Sequence, residues 1–133
     1  MLVYLDTNIV IYMVEQVAEL GAAAEMCVDG LRAEGAEFVV SRLVRMECLV
    51  GPLRKGAPDM VAAFDAFFCS PAVRFVEVTP AALDRAAGIR AQYRFNTPDA
   101  IHLASALESG CDALLTNDPR LSSCGELAVK VLP

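Results

Sequence analysis

The chain has 133 residues, 56% of them hydrophobic, with 11 basic and 17 acidic side chains and a formal net charge of −6. That length fits a single domain spanning residues 1–133, with enough apolar material for a core that needs neither disulfides nor a structural metal. The acidity excludes a module that grips nucleic acid by charge alone, because such modules are basic; it suits a nuclease whose metal-binding carboxylates carry the negative charge, or a protein that meets a basic partner.

Leu2 to Leu5 is a short apolar run ending at Asp6 and reads as a buried strand. Val17 to Ala33 is rich in Ala, Leu, Glu and Met and predicts a helix. Glu37 to Val40 is a second strand. Ser41 then caps a helix over Arg42 to Leu53, with Gly51 and Pro52 near its end. Pro58 to Phe68 predicts another helix, Pro58 suiting its first turn. Val73 to Val78 is a third strand, and Thr79-Pro80 is a cap and first-turn pair opening a helix towards Tyr93. Thr97-Pro98 repeats the device, with Gly110 as the stop. Ala113 to Leu115 is a fourth strand and Ala128 to Leu132 a fifth. Strands separated by helices, without hairpin signals, predict an α/β fold with a mainly parallel central sheet flanked by α-helices. Ligands in such sheets bind where the loops converge at the carboxyl ends of the strands.

The apolar start, Met1 to Val14, lacks a basic leader and is broken by Asp6 and Asn8, and no apolar run approaches the ~18 residues that span a bilayer. A cytoplasmic protein with no membrane contact is the expectation. The five cysteines, Cys27, Cys48, Cys69, Cys111 and Cys124, form no C-x-x-C pair. Buried, reduced thiols acting as small hydrophobes are expected, not a disulfide framework or a zinc site.

Four acids stand where chemistry would need them. Asp6 closes the first strand in Tyr4-Leu5-Asp6-Thr7-Asn8, and Asp118 repeats that geometry after the fourth strand in Leu114-Leu115-Thr116-Asn117-Asp118. Asp99 falls in the first turn of an almost uncharged helix, where the helix dipole favours a carboxylate. Glu47 borders a helical apolar stripe of Leu43, Met46, Val50 and Leu53, with Gly51 leaving space one turn on. Each acid alone also fits ordinary turns, caps or helix edges. Together they can converge at one end of the sheet. Clustered carboxylates repel unless a cation compensates them, and oxygen-only ligands suit Mg²⁺ or Mn²⁺.

This pattern resembles the PIN-domain nucleases, especially the VapC toxin subunits. The resemblance rests on Leu5-Asp6-Thr7-Asn8, on Arg45-Met46-Glu47, on the run from Thr97-Pro98-Asp99-Ala100-Ile101-His102 to Leu107, and on Leu115-Thr116-Asn117-Asp118, in the family's order and covering the chain. It implies a metal-dependent endoribonuclease with a Mg²⁺ or Mn²⁺ site. Asp6, Glu47, Asp99 and Asp118 would be the catalytic and metal-binding set, and Asn8 and Thr116 would support it. It also implies an RNA substrate, a homodimer, and a small antitoxin that blocks the site and mediates any contact with DNA. One departure is visible: Leu121 stands where the family often has an aromatic, a change expected to touch packing more than chemistry. One or two cations would bridge the carboxylates and the scissile phosphate and activate a water, oriented by Asp99 or Glu47.

His102, the only histidine, is expected to be a partly buried residue bonded to a neighbour, outside the catalytic set. Arg42, Arg45 and Arg54 are candidates to hold RNA phosphates, set against a solvated face with local ion pairs. Phe64, Phe67 and Phe68 are expected in the core or a dimer interface. A phosphatase or dehalogenase would need a second Asp two residues after Asp6, where Asn8 stands. A phospho-receiver would need an early acidic pair and a late Lys. The alternative that survives is a catalytically silent PIN-like module acting through an antitoxin-like partner in DNA-bound autoregulation.

Overall fold

In the computed structural model, which describes residues 1–133, strand β1 (Leu2–Leu5) lies at the centre of a five-stranded sheet of order β3-β2-β1-β4-β5. The other strands are β2 (Glu37–Ser41), β3 (Val73–Val76), β4 (Ala113–Thr116) and β5 (Ala128–Val131), and every pairing is parallel. The register sets Leu5 beside Leu115, so β1 and β4 end together. Successive residues Val3, Tyr4 and Leu5 face opposite sides of the sheet, yet none is more than 1% exposed. Both faces are therefore covered, as a parallel sheet requires. The expected α/β fold with a parallel sheet is what the chain adopts.

Six helices do the covering: α1 (Thr7–Val14), α2 (Ala18–Ala33), α3 (Arg42–Lys55), α4 (Pro58–Cys69), α5 (Pro80–Gln92) and α6 (Thr97–Glu108). Helix α1 packs on α2, α3 on α4, and α5 on α6. Phe64 and Phe68 on α4 are buried and Phe67 packs against them, which places this group in the core. Leu121, in the short 3₁₀ turn Pro119–Ser123, is 1% exposed and packs in the core. Of the cysteines, Cys48, Cys111 and Cys124 are buried as expected, Cys27 is half-buried, and Cys69 at the end of α4 is exposed.

Three sequence expectations need correction. Helix α1 was hidden, because Asp6-Thr7-Asn8 reads as a turn; in fact the Asp6 side chain accepts from Thr7 N–H and caps a helix that begins at once. A sharp connection through Gln16 and Ala18, both at positive φ, folds α1 back on α2. Gly21 permits that packing, since a Cβ there would lie 2.7 Å from the Tyr12 carbonyl oxygen. The cap of α6 is Asn96, not Thr97: its side chain accepts from Asp99 N–H, which moves the cap one residue upstream.

The third correction concerns α3. Its buried face carries Val44, Cys48 and Pro52, whereas Met46, Val50 and Leu53 are 53%, 41% and 64% exposed. Both stripes have helical spacing, and the larger side chains favoured the wrong one. Glu47 nevertheless stays at the core's edge, three residues on from Val44 instead of four on from Leu43.

Candidate active site

The sheet order reverses between β1 and β4, and the crevice beyond the carboxyl ends of two such strands is the usual binding place in an open parallel sheet. A cleft of about 350 Å³ opens there, and Asp6, Glu47, Asp99 and Asp118 all line it. The four residues come from the ends of β1 and β4, the middle of α3 and the first turn of α6. A larger hollow of about 510 Å³ lies near Val76, Thr79 and Ser109. Its acids, Glu77 and Glu108, are already paired with Arg42 and Arg85. The acidic cleft is the candidate site.

Each carboxylate is held differently. Asp6 Oδ1 accepts from Thr7 N–H at 2.9 Å, and Oδ2 accepts from the buried Thr116 hydroxyl at 2.7 Å. Thr116 Oγ1 in turn accepts from Asp118 N–H at 3.0 Å, tying the two strand ends together. Glu47 Oε1 accepts from the Thr7 hydroxyl at 2.6 Å and lies 2.6 Å from His102 Nε2. Burial pushes the Glu47 carboxyl up, but the hydrogen bonds from His102 and Thr7 outweigh it and hold it below its usual range.

Asp118 accepts from the Arg120 guanidinium, with Nη2 at 2.6 Å from Oδ2, and this pairing lowers its carboxyl's proton affinity. Asp99 has no such donor. Its Oδ2 is buried without a hydrogen-bond partner, and Arg120 Nη2 comes only to 3.6 Å. Burial raises the Asp99 carboxyl above its usual range; Asp6 and Asp118 add to the rise and Arg120 opposes it. Asn8 lines the rim, donating to Asn117 Oδ1 at 3.2 Å, and Asn117 is anchored by Tyr12.

The acids share one cleft, but they are not yet gathered into a ligand cage: no group of three or more Asp, Glu, His and Cys side chains stands ready to hold an ion. Arg120 and His102 provide local partners for the acids in addition to any cation. Neither residue belonged to the expected set. Arg120 stands two residues after Asp118, a nearness that could have flagged it. Thr7 was visible inside Asp6-Thr7-Asn8, but nothing local showed that its hydroxyl reaches Glu47.

Histidine 102 is more buried than expected, at 2% exposure, and bonds to Glu47 and Tyr4. Arg42 pairs with Glu77 and lies over the Phe75 ring, and Arg45 pairs with Asp65, so both meet local acids away from the cleft. Arg54 is exposed near the end of α3 and makes no ion pair.

The PIN domain family model matches residues 3–127. Among solved structures, the fold is similar to VapBC2 from Rickettsia felis bound to a promoter DNA fragment, at 16% identity and TM-score 0.82, covering 100% of each chain. It is similar to VapC20 of Mycobacterium tuberculosis, a sarcin–ricin-loop-cleaving toxin, at 20% identity and TM-score 0.77, covering 98% of this chain and 99% of that one. It is also similar to DNA-bound VapBC from Salmonella typhimurium, at 18% identity and TM-score 0.79, covering 100% of each chain. A comparison with curated proteins finds no match.

Proposed function

We propose that this chain, which belongs to the PIN-domain family, is a divalent-metal-dependent endoribonuclease of the VapC toxin type, restrained by a small antitoxin protein. The observation that carries the proposal is the buried Asp99 Oδ2, unpartnered in a cleft lined by three further acids. An anionic oxygen kept from water without a donor calls for a cation. The donors fit a hard divalent ion, Mg²⁺ or Mn²⁺, because all four are carboxylates.

In this reading Asp6, Glu47, Asp99 and Asp118 hold the ion, which when bound neutralises charge at the scissile phosphate and acidifies a water. The chain's own groups prepare that event. Thr7 N–H and Thr116 fix both oxygens of Asp6. Thr7 and His102 hold Glu47 by Oε1 and leave Oε2 without a protein partner. Arg120, with its side chain 69% exposed, is free to leave its acids for a phosphate oxygen. Asn8 at the rim supports the site, and Arg54 is free to meet a more distant phosphate.

The relatives supply the class of partner. One is a toxin that cleaves the sarcin–ricin loop, two are VapBC assemblies bound to DNA, and a further similar structure is a toxin–antitoxin complex. We assign to this chain an RNA substrate, an antitoxin that covers the cleft, homodimerisation, and DNA contact only through the antitoxin. The exposed apolar stripe of Met46, Val50 and Leu53 favours such partners, since surfaces of this kind mark protein interfaces. A cytoplasmic location accompanies the RNA substrate; no helix is long and apolar enough to cross a membrane.

The test is cleavage of total RNA by the chain purified free of any partner, with Mg²⁺, with Mn²⁺ and with EDTA. An Asp6→Ala, Asp99→Ala double variant runs alongside. Discrete cleavage that requires the ion and disappears in the variant is expected. Cleavage indifferent to EDTA or to the substitutions would overturn the assignment. No cleavage, with the antitoxin still bound by the variant, would favour the silent partner-binding module.

A further inference from the structure

A line of buried polar side chains runs behind the acidic cleft. Val44 N–H, in the first turn of α3, donates to Ser41 Oγ at 3.3 Å. Ser41 Oγ lies 2.7 Å from Tyr4 Oη, and Tyr4 Oη lies 2.8 Å from His102 Nδ1. His102 Nε2 lies 2.6 Å from Glu47 Oε1 and 3.4 Å from the Thr7 hydroxyl. Ser41 and Tyr4 are 0% exposed and His102 is 2% exposed, so each hydrogen must find its acceptor inside the protein.

Counting donors orients the whole line. Ser41 has one hydrogen to give, and Tyr4 Oη is its one side-chain acceptor in reach. Tyr4 then accepts from Ser41 and gives its own hydrogen to His102 Nδ1. A ring nitrogen that accepts carries no hydrogen, so the imidazole proton sits on Nε2, facing Glu47. The reverse direction leaves the Ser41 hydrogen orphaned in the core, where a donor without an acceptor is costly. The line starts at the cap of α3 and ends on Glu47 of the same helix, so the backbone that sets the helix also sets its carboxylate.

We propose that His102 is a positioning residue: Ser41 and Tyr4 lock its ring as an Nε2–H donor, which pins Glu47 Oε1 and leaves Oε2 alone to face ion, water or substrate. The consequence for catalysis rests on the proposed nuclease reading; the placement of the hydrogen does not. Thr7 reinforces the lock by donating to the same oxygen.

His102 is the only histidine, so ¹⁵N-histidine labelling of the metal-free chain yields one imidazole pattern. We expect Nδ1 without hydrogen and Nε2 with it. In Tyr4→Phe, which keeps the ring and removes the donor, Glu47 still accepts from Nε2, so we expect the Nδ1 resonance alone to move as that nitrogen loses its hydrogen bond. An Nδ1 that carries hydrogen in the unaltered chain, or a Tyr4→Phe spectrum identical to it, overturns the proposal.

Mn²⁺ affinity, read by the loss of the free ion's paramagnetic resonance signal, follows the positioning itself. We expect about a tenfold loss in His102→Leu, the lower end of what groups orienting a metal ligand supply, and recovery of most of it in His102→Gln, whose amide can donate near the Nε2 position. Equal losses in the two variants, with both folded by thermal unfolding, would overturn the role. If the ring pattern and the affinities behave as expected while RNA stays uncut, the nuclease reading fails and the positioning role stands.

Discussion

Replacing Asp99 by Asn should make the metal-free protein more stable while removing its response to divalent ions. Asp99 lies in the first turn of α6, where the helix dipole favours a negative charge by about 0.3–1 kcal/mol. Against this, a charged oxygen is buried beside Asp6 and Asp118 without a donor, whereas an amide NH₂ in its place can donate to those acids, which removes a penalty of about 1–3 kcal/mol. The raised carboxyl says that the penalty wins. A net gain of about 1 kcal/mol follows for Asp99→Asn, or about 3 °C in Tm for a chain of this size.

The sign of the pH dependence is fixed. A carboxyl raised in the fold contributes most below its unfolded pKa and loses that contribution as pH rises through the folded pKa. Asn has no such loss, so the advantage of Asp99→Asn is whole at neutral pH and vanishes in acid. The assay is thermal unfolding at neutral and acidic pH, with EDTA and with Mn²⁺. At an ion concentration one hundred times its dissociation constant, the parent should gain about 2.7 kcal/mol, near 8 °C, and the variant little. A variant less stable than the parent in EDTA at neutral pH would refute the reasoning, because Asp99 would then be an ordinary first-turn acid.

Thr7→Val keeps the shape and removes the 2.6 Å bond to Glu47, a bond to a charged group worth about 1.5–3 kcal/mol. Because Glu47 is held below its unfolded range, that contribution exists above the unfolded pKa and is lost as pH falls through the folded one, so urea unfolding should separate Thr7→Val from the parent at neutral pH and less in acid, with Thr7→Ser close to the parent. Arg120→Gln frees Oδ2 of Asp118, Oδ1 still accepting from the backbone N–H of residue 120, and relieves Asp99 of a competing cation; Mn²⁺ affinity measured by calorimetry should rise severalfold, and a fall would mean that Arg120 helps assemble the site. Arg54→Glu should weaken binding of RNA at low salt and flatten its salt dependence, measured with a catalytically dead background; unchanged binding would take Arg54 out of the RNA surface.

Local chemistry made most of the fold legible. Apolar runs ending in Asp6 and Asn117-Asp118, the Ser41 and Thr79 caps, and the first-turn prolines Pro58, Pro80 and Pro98 each act within a few residues, so their meaning survives without the fold. Where two local readings had equal merit, the sequence could not choose between them. The Asp6-Thr7-Asn8 run serves a turn as well as a helix cap. On α3 the Leu43-Met46-Val50-Leu53 stripe competes with Val44-Cys48-Pro52, and only packing against the sheet and α4 selects the second.

The same division runs through the site. The identity of Asp6, Glu47, Asp99 and Asp118 as candidates came from the sequence, because a carboxylate's chemistry is carried by the residue itself. Their meeting in one cleft depends on β1 lying beside β4, a neighbour more than one hundred residues away. How the charges are compensated is likewise tertiary. Arg120 reaches back to Asp99, Thr7 crosses from α1 to Glu47, and His102 on α6 links Tyr4 on β1 to Glu47 on α3. Hydrogen bonds act over about 3 Å in space and are blind to separation along the chain. The sequence determined which groups could act and which strands they follow; only the packed sheet decided which of them touch.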